Sequence, residues 1–315
     1  MKRTPSSAEP ATSPTVFVLS GGGNQGVSQV GMLRALLERD IVPDVVVGCS
    51  AGALNGAGIA YDPTLAGVDR LEELWQSIET GDIFPGGKLS RAWNLVRREP
   101  SLFSPDRLQT MLERAIPAVS FADLAVTFRV VACDLITGEE VVLCRGPLIP
   151  ALMASAALPG IFPPVQHAGH TLVDGGVVNS VPISHAVAGA AARIYVLNVA
   201  GGGRPAEIAP SSPLDVVMRS FSIARSQRFR LEMEHLRTDA KLVVLPRPVD
   251  DRELYDFSGA ADLIAEAHRI ASEVLDRDES IDLTARRFEE PVETEPRWAR
   301  RLRLPLPRAR STVRP

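Results

Sequence analysis

The chain has 315 residues, a formal net charge of −4, 45% hydrophobic residues and three cysteines. That length allows one large α/β domain with a full core, which is the expectation, or two small ones, and a charge so near neutral gives nucleic acid no electrostatic footing. No apolar run is long enough to cross a bilayer, and no Cys/His spacing suggests zinc, so neither a metal nor a cofactor is expected.

Residues 1–14 are mostly Pro, Ser, Thr and Ala. They read as disordered and lack the apolar core of a signal peptide; with cysteines that read as reduced, the expectation is a cytoplasmic protein with peripheral membrane association open to it. Thr15–Ser20 reads as a short buried strand, followed at once by Gly21-Gly22-Gly23-Asn24-Gln25-Gly26. Val27–Glu38 has Val30, Leu33 and Leu37 at helical spacing, and Val42–Val47 is a second strand. That strand runs into Gly48-Cys49-Ser50-Ala51-Gly52, the pattern of a nucleophile elbow, in which a sharp strand-to-helix turn lifts one serine hydroxyl clear of the backbone. The segment is one β-α-β unit, so the carboxyl ends of both strands share a sheet edge and the glycine loop should meet Ser50. Backbone N–H groups left uncovered by glycines at a helix N-terminus favour an anion. Beside a serine nucleophile that anion is the tetrahedral oxyanion of acyl transfer. The same loop also satisfies G-x-G-x-x-G. A dinucleotide site, however, wants an acid at the far end of the second strand, where this chain has Gly48-Cys49-Ser50. A nucleotide- or phosphate-binding module on Gly21–Gly26 is the rival from outside the enzymes.

Residues 62–120 read as a variable helical insert. Leu71, Leu74, Trp75 and Ile78 share a helical face, Phe84-Pro85-Gly86-Gly87 breaks it, and Ser104-Pro105-Asp106 starts a helix carrying Leu108, Met111, Leu112 and Ala115. Its aromatics, Trp75, Phe84, Trp93 and Phe103, either line a lid or form a small core of their own; the second is the commoner use. Cys49, Cys133 and Cys144 read as reduced core thiols. Thr171-Leu172-Val173 leads to Asp174-Gly175-Gly176. Alone, Asp-Gly-Gly is a turn; beside the loop and the elbow, Asp174 becomes the candidate base that a serine nucleophile requires. The five histidines, His167, His170, His185, His235 and His268, lie in no obvious motif. Asn179 reads as a structural turn amide. Late helices are expected at Leu214–Leu236 and Ala260–Leu275. Residues 286–315 form a basic tail, and residues 297–315 hold seven arginines and no acid, interleaved with Trp298, Leu302, Leu304 and Leu306. Such a segment is either a solvated terminus or a weak anchor to anionic headgroups.

Taken together, Gly21-Gly22-Gly23-x-x-Gly26, Gly48-x-Ser50-x-Gly52 and Asp174-Gly175-Gly176 resemble the patatin-like phospholipases, lipid acyl hydrolases with a Ser–Asp dyad and no catalytic histidine. Ala132–Glu139 is similar to that family's central hairpin, and Ala154–Pro164 to its block before the aspartate. Asn179, Pro182 and a strand at Tyr195–Val199 extend the likeness, which covers about residues 15 to 200. The resemblance implies a three-layer α/β/α fold with a mainly parallel sheet; the domain itself is expected to span residues 15–285. It implies hydrolysis of a lipid ester by Ser50 with Asp174 as base, an oxyanion hole from Gly21, Gly22, Gly23 and Gly26, and peripheral contact with a membrane. Gly48, Gly52, Gly175 and Gly176 shape the turns. The family usually has Arg or Lys where this chain has Gln25, so a cation near the site is expected to be missing. The rival within the enzymes is a Ser-His-Asp esterase using His185, His235 or His268. The short gap between Gly21 and Gly48, which holds a single β-α-β unit, argues against it.

Overall fold

The computed structural model describes residues 14–78, 105–188, 191–200, 213–249 and 257–277, all within one compact unit, Met1–Leu283. Strands are β1 (Thr15–Leu19), β2 (Val45–Cys49), β3 (Thr127–Asp134), β4 (Glu140–Leu143), β5 (Val165–His167), β6 (His170–Asp174), β7 (Arg193–Asn198) and β8 (Lys241–Pro246). Helices are α1 (Val27–Leu37), α2 (Ala51–Tyr61), α3 (Leu65–Ser77), α4 (Asp106–Ala115), α5 (Leu148–Ser155), α6 (Ile183–Val187), α7 (Pro213–His235) and α8 (Ala260–Asp276).

The sheet runs β5-β6-β3-β2-β1-β7-β8, with β4 also paired to β3. The β3-β2-β1-β7-β8 pairs are parallel; β4, β5 and β6 join antiparallel. Side chains alternate along each strand, so each strand feeds two cores. Phe17 and Leu19 of β1 and Tyr195 and Leu197 of β7 pack with α1–α5 and α8. Val16, Val18, Ile194 and Val196 pack on the other face with Ile183 of α6 and Phe229 and Met233 of α7. This is the three-layer α/β/α arrangement with a mainly parallel sheet.

Four details differ from the sequence expectation. β2 begins at Val45 because Pro43 has no N–H for the ladder and the Asp44 carboxylate instead accepts the Thr15 N–H at 2.8 Å. Pro14 is tied down, its carbonyl accepting from Ala192 N–H at 3.0 Å. Cys144 is an exposed thiol rather than a core one, since β4 ends at Leu143; Cys49 and Cys133 are buried, and all three are free. Helices α3 and α4 do not make a separate core. Leu71, Trp75, Leu108 and Leu112 join the main one, because the buried Trp75 Nε1–H finds its acceptor on α2, at Asn55 Oδ1, 2.8 Å away. Phe84, Trp93 and Phe103, and the tail from 286 onward, lie outside the described residues.

Candidate active site

Ser50 is the single residue between β2 and α2. It has φ 53° and ψ −127°, a region that non-glycine residues occupy only when the surroundings enforce it. The surroundings do so. Its N–H donates to Ser155 Oγ at 2.9 Å, and the Ser155 hydroxyl donates to Val131 O at 2.6 Å. Its carbonyl accepts from Ala53 N–H at 2.8 Å, the first bond of α2. Gly52 permits the turn: a Cβ there would strike the carbonyl oxygens of Leu19 and Ser20 at the end of β1. Gly48 lies against the Gly52 carbonyl across the same turn.

Asp174 reaches Ser50 through β3. Val131 of β3 is in register with Cys49 and the next residue, Ala132, with Asp174, so the ends of β2 and β6 meet over this strand. Ser50 Oγ donates to Asp174 Oδ2 at 2.6 Å, and Gly176 N–H donates to Oδ1 at 2.7 Å. Gly175 packs on the Val131 carbonyl. Asp174 is 1% exposed. Burial raises its carboxyl pKa above the usual range, while the Ser50 hydroxyl, the Gly176 amide and the Arg225 guanidinium pull it back. Asn179 is a tether: its Nδ2 lies 3.2 Å from both Glu140 oxygens.

The glycine loop does meet Ser50, since a Cβ on Gly21 would come within 3.1 Å of the Ser50 Cβ. Gly21 is not an oxyanion donor, contrary to expectation, because its N–H is spent on the Ser180 carbonyl at 2.9 Å. Gly26 is a spacer, where a Cβ would lie 2.7 Å from Ala51 Cβ and 3.1 Å from Trp75. Gly23, with φ +60°, lines the pocket beside Ser50. Gln25 Oε1 accepts a hydrogen bond from Arg247, just after β8, at 3.1 Å. A buried chain fixes the loop from below. Asn55 Nδ2 donates to Gly26 O at 2.8 Å and Gln29 Oε1 at 2.9 Å, and Gln29 Nε2 donates to Ser20 O at 2.8 Å.

Ser50 and Asp174 open onto a pocket of about 790 Å³, its mouth included. Its walls are apolar, among them Leu74 and Trp75 of α3, Leu112 of α4, Leu158, Phe162 and Phe257. Trp75 and Phe257 stack with centroids 6.2 Å apart. Among the described residues the polar side chains lining it are Ser50, Asn55 and Asp174, with no Lys or Arg to meet a nucleotide phosphate. The histidines are engaged elsewhere: His170 with Asp134, His185 with Glu140, His268 with Glu38, His235 with the Leu231 carbonyl, while His167 sits in the β5–β6 ladder. Among the described residues no cluster of metal-ligating side chains occurs, and no helix is long and apolar enough to cross a membrane. Sequence reasoning missed Ser155, Asn55 and Arg225. Each is brought to the site by tertiary packing, and although Ser155 lies within the Ala154–Pro164 block, nothing in the sequence marks its hydroxyl for this contact.

A family model described as patatin-like phospholipase matches residues 17–187. A patatin-like phospholipase domain-containing protein of Caenorhabditis elegans is 33% identical over 172 residues, covering 53% of this chain and 12% of that protein. An uncharacterized NTE family protein of Mycobacterium tuberculosis (strain ATCC 25618 / H37Rv) is 32% identical over 169 residues, covering 53% of this chain and 27% of the relative. The match therefore spans well under half the length of these relatives. Among solved structures, VipD from Legionella pneumophila aligns over 86% of this chain and 68% of its own at 14% identity, with a TM-score of 0.45.

Proposed function

The chain belongs to the patatin-like phospholipase family, and on that premise we propose that it hydrolyses carboxylic esters of lipids. The observation that carries the reading is the Ser50–Asp174 hydrogen bond at the floor of an apolar pocket. Ser50 Oγ attacks the ester carbonyl as its proton passes to Asp174. The oxyanion is held by the N–H groups of Gly22 and Gly23. Collapse of the tetrahedral intermediate expels the alcohol, which takes the proton from Asp174. Water, activated by the same carboxylate, then releases the fatty acid and restores the serine. Burial serves this chemistry, because an aspartate at its reference pKa of about 3.9 is a weak base. The raised carboxyl of Asp174 should give a rate that falls with decreasing pH at a point above the ordinary carboxylate range.

The pocket walls are suited to an acyl chain. Met111 of α4 lines the pocket. Met111→Trp should shorten the accepted chain: kcat/KM for a dodecanoyl ester is expected to fall about tenfold relative to wild type, with a butanoyl ester little changed. Rates on a series of acyl esters check this, and equal loss on both substrates would remove the pocket from the account. Gly22→Ala tests the oxyanion donors. Its Cβ would lie 2.7 Å from Val199 Cγ2 and 2.9 Å from Val199 O, so the loop must shift. Turnover should drop about a hundredfold with KM nearly unchanged; normal turnover at saturating substrate would count against that role. A lipid substrate also requires reversible contact with its surface, for which the arginine-rich residues 297–315 have suitable chemistry. Loss of salt-sensitive binding to anionic vesicles on deleting them would identify the anchor.

A further inference from the structure

Arg225 lies in α7 yet is only 9% exposed. Its guanidinium packs over the Phe221 ring one turn earlier, 4.8 Å from the centroid. It also reaches the turn after β6. A Cβ on Gly176 would lie 3.4 Å from Arg225 Cδ, 3.6 Å from Arg225 Nη1 and 2.9 Å from Asp174 Oδ1. The cation and the carboxylate therefore flank one glycine, no further apart than those last two distances end to end. Arg225 Nε is buried without a hydrogen-bond partner. Burying a cation in this way is costly and asks for a reason.

The reason lies in Asp174. Its carboxylate is almost wholly removed from water, which favours the neutral acid, and a neutral acid cannot take the Ser50 proton. Two hydrogen bonds oppose that tendency, but the one from Ser50 disappears once the serine attacks. The other groups in electrostatic contact are unhelpful. The Cys49 thiol of β2 is held neutral by burial, and the Cys133 thiol of β3 is likewise raised. Arg225 is the cation that acts on Asp174. We propose that Arg225 is a positioning residue that keeps Asp174 ionised and aimed at Ser50. This rests on the hydrolase reading above. The same field also disfavours protonated Asp174 in the intermediate, so the proton moves on from Asp174 to the departing alcohol oxygen, and no group beyond these is needed.

The test is the rate of labelling by a fluorophosphonate, and of hydrolysis of a short soluble ester, across pH for wild type, Arg225→Met and Arg225→Lys. Removing the cation raises the Asp174 pKa. The acidic limb of Arg225→Met should therefore move to higher pH by about one unit or more, with the rate recovering above it and KM unchanged. Arg225→Lys, which keeps the charge, should keep the limb close to that of wild type. Arg225→Gln replaces Arg225→Met if the latter fails to fold. A folded neutral variant with an unmoved limb, or with the same fractional loss at every pH, overturns the proposal and leaves Arg225 a packing residue. A wild type that takes no label and cleaves no ester overturns the hydrolase reading, and this inference with it.

Discussion

Ser50→Ala is expected to reduce ester hydrolysis to less than about a thousandth of the wild-type rate, because the atom that forms the acyl bond is gone. The fold should survive. Alanine adds no bulk to the elbow, and the backbone bonds that pin the turn, Ser50 N–H to Ser155 Oγ and Ala53 N–H to Ser50 O, do not involve the side chain. The removed hydroxyl was also the donor at 2.6 Å to a buried carboxylate. Its loss leaves Asp174 more easily protonated. A melting temperature close to that of wild type, together with lost activity, is the expected pair of results. Activity retained in a preparation free of other esterases would remove Ser50 from the mechanism.

Asp174→Asn should lower turnover by about two to four decades, the usual worth of a general base. The substitution keeps the shape. The amide oxygen can still accept the Gly176 N–H that now reaches Oδ1 at 2.7 Å, so the turn after β6 is preserved. What changes is the other atom. An NH₂ group replaces Oδ2 and points a donor at Ser50 Oγ, which can no longer pass its proton there. A buried neutral amide also avoids the desolvation that raises the Asp174 pKa, so stability should hold or increase. Single replacement of each histidine should not reproduce the loss, since their hydrogen bonds lie with Asp134, Glu140, Glu38 and a backbone carbonyl. A histidine variant as inactive as Asp174→Asn would replace the dyad with a triad.

The elements at the amino-terminal end of the fold were legible because their signals are local. Short apolar runs, glycine clusters and helical spacing located β1, α1 and β2, and placed Ser50 at the turn. Asp174 was legible through the glycines that follow it. The partners that make these residues work were not. Ser155 is 105 positions from Ser50, and nothing in Ala154-Ser155-Ala156 marks its hydroxyl as the clamp on the elbow. Arg225 sits in a helix with other arginines, Arg219, Arg228 and Arg230, and only packing shows which one is buried. Trp75 reads in sequence as part of a helical face. Its assignment to the main core depended on Asn55, twenty positions away, supplying an acceptor. In sequence the Gly21 N–H reads as free for an oxyanion, since its partner, Ser180 O, comes from a distant turn. Periodicity gives the first β-α-β unit and the motif resemblance the fold class, whereas the fine electrostatics of a site depend on contacts between segments far apart in sequence.

The most direct measurement is mass spectrometry of the intact protein after exposure to a fluorophosphonate, followed by peptide mapping. The probe reports an activated serine without knowledge of the lipid. The account predicts one adduct per chain, on the peptide containing Ser50, absent in Ser50→Ala and strongly slowed in Asp174→Asn. No adduct, or an adduct on another serine with Ser50 unmodified, would contradict it.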